Sequence, residues 1–540
     1  MVGTADVDVV VVGAGFGGLT MLYQLREAGF SMQGVEMADG VGGTWFWNRY
    51  PGARVDIQSV EYSLSISREV QDEWTWTELM APQEELERYV NFVADRLDLR
   101  RHIKFRTRVT AMVWEDEAGL WRVETDQGDV WRARFVVTAV GCLSAPLEPD
   151  IEGLADFRGV TLYTNRFPKE GFDFTGKRVA LVGTGSSGVQ ATPVIAEQAQ
   201  HLYVLQRSAA YTLPAGNRVW ESGEFEALRK NYDKIRSMQR RMPTGSLTFG
   251  AIDFRSVQIP QPNLLEASED ELAARLEAKE WLMTTPFAWS DVMTDMQAND
   301  RAKQLYAELI RRTVKDPQTA AALVPRDPLG CKRAIFDTGY FETFNRGNVT
   351  LVDLRKGGIE RITPDGVQTA QGFLPVDVIV YATGFDAMTG SLNRIDIRGK
   401  GGAALREGWM AEGPRTYLGL TVAGFPNLFT VTGPGSPSVL TNMISSIEQH
   451  AQWIVDCLDH LRRSGLRSIE ASPDAQEAWV RHVAEAAGGM RVHESCTSWY
   501  LGANVPGKVR VYMPYAGGLD VYRKRCAEIA EQGYTGFELA

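Results

Sequence analysis

Two glycine turns carry the clearest chemical signal in this chain. Gly13-Ala-Gly15-Phe-Gly-Gly18 follows the apolar, β-branched run Val7 to Val12, and Gly183-Thr-Gly185-Ser-Ser-Gly188 follows the run Arg178 to Val182. In each unit the first glycine permits a tight turn, the second lets the backbone approach a pyrophosphate, and the third allows a helix to pack closely on a strand. The two units end on opposite charges. Glu36 falls eighteen residues after Gly18, where a carboxylate hydrogen-bonds ribose hydroxyls. Arg207, followed by Ser208, falls nineteen residues after Gly188, where a planar guanidinium suits the 2′-phosphate of NADP. Opposite end charges imply two different dinucleotides, FAD in the first clamp and NADPH in the second.

The elements that must position these turns are legible around them. Leu19, Leu22 and Leu25 recur at helical spacing, Gly29 supplies a stop, and Met32 to Glu36 reads as the next strand. The second unit repeats this, with a helix over Val189 to Gln198 and a strand over Leu202 to Leu205. Phe135 to Gly141 reads as a buried strand rejoining the first sheet, while Val349 to Val352 and Val378 to Gly384 supply strands to the second clamp. Gln83 to Leu99 has a helical pattern, and Ile103 to Asp129 alternates like an antiparallel meander. Pro146 and Pro149 mark a linker. From Glu221 to about Pro325 the pattern is helical and rich in charge, with a capping box at Ser268-Glu-Asp-Glu271. Asp365-Gly366 is expected to turn a hairpin. Ile444, Ile447, Ala451, Ile454, Leu458 and Leu461 line one face of a helix ending at Gly465, whose N-terminus offers partial positive charge to an anionic flavin. The expected fold is α/β, with two Rossmann-like dinucleotide-binding domains and a helical insertion in the second. The first domain takes residues 1–145 and 383–540, the second takes 146–215 and 333–382, and the insertion takes 216–332.

At 540 residues the chain exceeds a single core. Its 44% apolar and 23% charged residues are those of a soluble globular protein, and a net charge of -11 argues against nucleic acid or an anionic membrane as partner. No secretory signal or transmembrane run is apparent. Cys142, Cys331, Cys457, Cys496 and Cys526 are scattered, odd in number and without a Cys-x-x-Cys pair, so a reducing cytoplasm is expected and a redox dithiol is not. The six histidines lack metal-ligand spacing.

The stretch Gly42-Gly-Thr-Trp-Phe-Trp-Asn-Arg-Tyr-Pro-Gly-Ala-Arg-Val-Asp56 is too dense in glycine and aromatic residues for a regular element and reads as a loop packed over something flat. Its pattern, Gly42-Gly-x-Trp45, then Tyr50-Pro51-Gly52, then Asp56, resembles a motif of the type I Baeyer-Villiger monooxygenases. The strands ending in Ala-Val-Gly141 and Ala-Thr-Gly384, the segment Ser438 following Gly433-Pro-Gly-Ser-Pro, and Ser498-Trp-Tyr-Leu-Gly-Ala-Asn-Val-Pro-Gly507 are similar to the same family. Within it, resemblance is closest to the phenylacetone, cyclohexanone and steroid monooxygenases and extends over nearly the whole chain. A second family signature, Phe-x-Gly-x-x-x-His-x-x-x-Trp-Pro, is altered: Phe157, Gly159 and Pro168 are kept, but Tyr163 and Phe167 replace its histidine and tryptophan.

The resemblance implies that NADPH reduces FAD, that oxygen adds to give a C4a-peroxyflavin, and that this species attacks a ketone to yield an ester or lactone. It assigns the cation beside the peroxide to Arg333, in Cys331-Lys332-Arg333, and the carboxylate that orients it to Asp56. It places Thr44, Trp45 and Tyr62 at the flavin, Lys332 with Arg207 and Ser208 at the 2′-phosphate, Trp499 on a loop over the nicotinamide, and Ser438, Val439 and Leu440 beside the ketone. Ketone and O2 are the expected partners of a monomer or weak homo-oligomer. A flavin enzyme that oxygenates nitrogen or sulfur with the same clamps is the alternative, and a flavin-binding protein without turnover is another, raised by Tyr163 and Phe167.

Overall fold

Val9, Val10 and Val11 have no solvent-accessible surface. From Val9 onward their strand is therefore apolar on both faces, as befits a parallel sheet covered on both sides, with Asp8 at its less buried start. The computed structural model describes residues 5–250, 252–254, 260–493 and 495–540. In it Val7–Val12 lies between two parallel partners, Met32–Val35 and Val130–Thr138. Leu428–Thr430, from far along the chain, extends the sheet beside Val136 to Thr138. Val109–Glu115, Leu120–Thr125 and the first half of Val130–Thr138 form the expected antiparallel meander. Ile103–Lys104 does not belong to it, for this two-residue strand pairs parallel with Gly34 and Val35 at the opposite edge. A strand so short shows no alternation that could separate it from the meander.

The second sheet has five parallel strands in the order Val349–Asp353, His201–Gln206, Arg178–Val182, Val378–Tyr381 and Val160–Tyr163. All its strands come from residues 160–381, whereas those of the first sheet come from 7–138 and 396–430. The chain thus leaves the first sheet, builds the second, and returns.

Each sheet launches a helix from its glycine turn, and the two launches are nearly identical. Gly15 precedes the helix Phe16–Glu27 with φ −76° and ψ −167°, and Gly185 precedes Ser186–Gln198 with φ −79° and ψ −169°. Neither N-terminus is capped by a side chain, so its first N–H groups are left for an anion. The third glycine is required by close packing. A Cβ at Gly18 would run into the carbonyl oxygen of Gly13, and one at Gly188 into that of Gly183.

Between Glu221 and Pro325 the helices include Glu224–Arg229, Tyr232–Gln239, Glu269–Glu277 and Met296–Thr313. Half of the capping box is formed: the Glu271 N–H donates to Ser268 Oγ at 3.2 Å, while the Glu271 carboxylate lies toward Arg275. A small hairpin, Thr248–Phe249 with Ile252–Asp253, interrupts this helical run. The later hairpin turns one residue earlier than expected. Thr363 pairs with Gly366, leaving Pro364 and Asp365 as the turn, with proline pre-set at its first central position. The long helix Met443–Arg463 is capped by Asn442, whose Oδ1 accepts from the Ile444 N–H at 3.0 Å, and packs against Phe16–Glu27. Among the described residues no helix is long and apolar enough to cross a membrane, and no group of His, Cys, Asp and Glu is arranged to hold a metal ion.

Candidate active site

Arg333 is gripped by three separate parts of the chain. It lies just before the strand Ile335–Asp337, which pairs with Thr212–Pro214 and fixes its backbone. Its Nε donates to Asp56 Oδ2 at 2.6 Å, its Nη1 donates to the carbonyl of Val439 at 3.1 Å, and its guanidinium carbon sits 4.5 Å from the centre of the Phe249 ring. Gly250 N–H in turn donates to the Asp56 carbonyl at 2.8 Å, so the hairpin carrying Phe249 is tied to the carboxylate's own backbone. Burial works against the guanidinium's charge, but attraction to Asp56 outweighs it and holds the group above its ordinary pKa. Among the described residues Nη2 has no hydrogen-bond partner, so one edge of an otherwise fixed cation remains available. Phe249 was not singled out in the sequence; a two-residue strand inside a helical stretch carries no periodic signal.

The stretch Gly42 to Asp56 is the piece that joins this arginine to both clamps. It holds one turn of helix, Thr44–Trp47, where no regular element was expected. At its start it lies against the first glycine turn, where a Cβ at Gly15 would be 3.3 Å from the Cα of Gly43. At its middle it docks on the second clamp's helix: Tyr50 Oη donates to Gln190 Oε1 at 2.8 Å, and Gln190 Nε2 donates to the Arg54 carbonyl at 3.3 Å. Gly52, at φ +82°, passes so close to the Gln190 carbonyl that no side chain fits. At its end stands Asp56. Trp45 is buried and its Nε1 donates to Tyr62 Oη at 3.2 Å, and burial pushes the Tyr62 phenol up to about 12; Thr44 is exposed at the start of the helical turn.

Of the remaining expected site residues, Gly13 and Gly183 take positive φ at equivalent turns. Glu36 is 6% exposed, and its two oxygens accept the N–H groups of Ala14 and Ala38 at 2.7 and 2.8 Å. Burial raises its pKa, partly offset by those N–H groups. A carboxylate has about four lone-pair sites, so room remains for ribose hydroxyls. Arg207 and Ser208 are exposed at the end of His201–Gln206, and Arg207 has no partner among the described residues. The Ser208 carbonyl accepts from Thr184 Oγ1 at 2.7 Å, which ties this corner to the second glycine turn. Lys332 is engaged elsewhere, donating to Asp327 Oδ2 at 2.8 Å. Ser438 and Val439 are buried in a single turn of 3-10 helix, and Val439 and Leu440 share an apolar cluster with Cys142, Met388, Tyr500 and Trp499. A cleft of about 1290 Å³ between the outer faces of four helices, lined by Tyr23, Arg236, Glu448 and Arg523 among others, contains none of these groups. Its walls carry both signs of charge and no uncapped glycine turn.

Two departures concern sulfur and the altered signature. The scattered cysteines, without a Cys-x-x-Cys, argue against a redox dithiol, yet Cys331 and Cys496, 165 residues apart, form a disulfide with Cα atoms 5.6 Å apart, while Cys142, Cys457 and Cys526 are free and buried. Such a pair is made by tertiary folding and has no spacing signal. Tyr163 packs against Tyr381 with ring centres 5.4 Å apart and planes tilted by 30°, and the Arg166 guanidinium lies 3.7 Å from its ring centre. Arg166 forks onto Glu148 at 2.6 and 2.8 Å, so the tyrosine is braced to the linker leading into the second sheet.

The residues present fit two dinucleotides, with two uncapped glycine-turn helices, one ending on a buried carboxylate and the other on a free arginine. Residues 6–240 match the family model described as flavin-binding monooxygenase-like. A Baeyer-Villiger monooxygenase of Pseudooceanicola batsensis is 39% identical over 98% of this chain and 96% of its own length. The structure titled oxidized steroid monooxygenase bound to NADP is 45% identical, with a TM-score of 0.91 over 99% of both chains. A crystal structure of OTEMO in complex with FAD and NADP is 37% identical, with a TM-score of 0.92 over the full length of both. Identity sustained at this level from end to end, across both clamps and the loop that joins them, means that the chain belongs to the flavin-binding monooxygenases and, within them, to the Baeyer-Villiger monooxygenases.

Proposed function

We propose that this chain uses FAD, NADPH and O2 to insert one oxygen atom beside a ketone carbonyl, giving an ester or lactone. The observation that carries the reading is the fixed Arg333 with one free guanidinium edge. Bound FAD, reduced by NADPH, supplies the activated oxygen. Arg333 then provides preorganised positive charge, first to that oxygen and then to the carbonyl oxygen as it becomes negative. Asp56 fixes the plane of the guanidinium, and the Val439 carbonyl and Phe249 ring prevent it from swinging away. Gly13, Gly15 and Gly18 take the FAD pyrophosphate and Glu36 its ribose; Thr44, Trp45 and Tyr62 flank the flavin. Gly183, Gly185 and Gly188 serve NADP, Arg207 and Ser208 its 2′-phosphate, and Trp499 covers the nicotinamide side. Lys332 joins the phosphate only by leaving Asp327. Residues 1–145 with 383–540 form the FAD unit and 146–215 with 333–382 the NADP unit. Since every group comes from one chain, a monomer suffices, and NADPH supply favours the cytoplasm. Ketone-stimulated NADPH oxidation, with mass analysis for one added oxygen, tests the reading; peroxide as the sole product with alkyl, aryl and cyclic ketones alike would sink it.

Ser438, Val439 and Leu440 line the ketone side in this proposal. Val439 presents its carbonyl to Arg333 and its side chain to an apolar cluster, so Val439→Gly removes bulk beside the reacting carbonyl without removing the arginine's acceptor. A broader range of accepted ketones is expected, with flavin reduction by NADPH nearly unchanged. An identical substrate profile places the pocket elsewhere.

The brace at Tyr163 supplies a further test. Tyr163→His keeps an aromatic ring but weakens the stack under Arg166, a contact of roughly 0.5 to 1 kcal/mol at an accessible site. Coupling of NADPH use to ester formation should change by only about two- to five-fold. Ester formation by the histidine variant alone would mean that the natural chain binds flavin without turnover.

A further inference from the structure

We propose that Cys331 and Cys496 form a reversible redox latch that closes the C-terminal loop over the NADP side of the site, with hydrogen peroxide as the oxidant that shuts it. This inference rests on the proposed function for the identity of the ligand beneath the loop. Cys331 directly precedes Lys332 and Arg333; Cys496 directly precedes Thr497, Ser498 and the turn Trp499–Leu501. The disulfide therefore joins the segment carrying the site's cations to the one carrying Trp499. Apart from it, the polar ties between these two segments are modest. Thr497 Oγ1 donates to the Asp327 carboxylate at 3.0 and 3.2 Å, and Asp327 in turn holds Lys332. The far end of the loop is anchored independently: Asn504 Nδ2 donates to the Phe385 carbonyl at 2.8 Å, and Lys508 Nζ reaches Asp386 Oδ1 and the Ala387 carbonyl at 2.6 and 2.8 Å. Breaking the disulfide would thus free one end of a loop that stays hinged at the other.

Several features favour a reversible bond over a permanent staple. Disulfides in compartments that supply reductant are usually transient or redox-sensing. Hydrogen peroxide is what a flavin oxygenase releases when activated oxygen finds no ketone, so the oxidant arises within the same molecule. One cysteine sulfur attacks peroxide to give a sulfenic acid and one water. The second thiol then displaces hydroxide from that sulfur, giving the disulfide and a second water. Two thiols lose two hydrogens and two electrons, and peroxide is reduced to two waters. A dithiol reopens the bond by exchange. Cys331 and Cys496 are 1% and 5% exposed, which favours a small internal oxidant over a bulky one.

The test uses the holoenzyme prepared in two states, reduced with dithiothreitol and desalted without air, or treated with a small excess of hydrogen peroxide. Peptide mass mapping should find the Cys331 and Cys496 peptides joined only in the oxidised state, with Cys142, Cys457 and Cys526 free in both. Amide hydrogen exchange over residues 497–503 should be slower when oxidised, and NADP+ release should slow by at least about ten-fold. Cys496→Ser and Cys331→Ala should each abolish the difference between the two preparations while retaining flavin. Free thiols at both positions after peroxide treatment would overturn the latch. A joined pair with equal loop exchange in both states would overturn it as well. If the linkage and the loop exchange behave as expected but no NADP binds, the proposed function fails and the redox-controlled loop stands.

Discussion

Replacing Arg333 with alanine is expected to lower ester formation by roughly 100- to 1000-fold, the scale for losing one preorganised donor to a developing oxyanion. FAD should stay bound, because the contacts of Arg333 run to Asp56, Val439 and Phe249 and leave Glu36 and the first glycine turn untouched. The variant leaves Asp56 without its cation, but that side chain is 31% accessible, so water can solvate the carboxylate and the fold should survive. Lysine should rescue poorly. In the wild type one guanidinium spans Asp56 Oδ2 and the Val439 carbonyl while keeping Nη2 free, and a single ammonium on a flexible stem cannot hold that geometry. NADPH consumption should continue with release of hydrogen peroxide, since neither hydride transfer nor oxygen reduction requires attack on a ketone. The measurement is ester and peroxide yield per NADPH consumed. Ester at near the wild-type rate would falsify the assignment. The nearby cations are poor substitutes, since Arg54 Nη1 is held by Glu78 Oε2 and the Met80 carbonyl, each at 2.9 Å, and Lys332 is held by Asp327.

What the sequence made legible here is local, and what it concealed is tertiary. A buried parallel strand, a glycine turn and a helix occupy about thirty consecutive residues, so their pattern survives in one dimension, including the end charge that separates Glu36 from Arg207. The same holds for the capping box at Ser268, three residues from its partner. Arg333 and Asp56 were legible as a pair only through resemblance, being 277 residues apart. The grip of Phe249 and of the Val439 carbonyl had no sequence signal, because a ring above a guanidinium depends on where a two-residue strand lands. The stretch Gly42 to Asp56 reads as a loop over a flat ligand, yet much of its composition is set by protein contacts. Gly52 is demanded by the Gln190 carbonyl and Tyr50 by the Gln190 side chain, on a helix more than a hundred residues away. The disulfide lay hidden for the same reason.

Arg207→Ala is expected to weaken NADPH binding by roughly ten-fold or more and to leave NADH nearly untouched. A charge-assisted hydrogen bond to phosphate contributes about 1.5 to 3 kcal/mol, which spans roughly 10- to 150-fold in affinity. Two observations decide where in that range the effect falls. Arg207 is exposed, so solvent and salt screen its charge and favour the lower end. Against this, the second cation expected at the phosphate is not free to replace it, because Lys332 is committed to Asp327, which also holds Thr497 of the C-terminal loop. The loss should therefore be nearer ten-fold in ordinary buffer and grow at low ionic strength, a dependence that a merely structural role would not produce. Stopped-flow flavin reduction over a range of NADPH and NADH concentrations, at two salt concentrations, gives both affinities directly. Equal losses for the two cofactors would show that Arg207 shapes the end of the strand without reading the phosphate, and recognition would then fall to Ser208 or to a Lys332 released from Asp327.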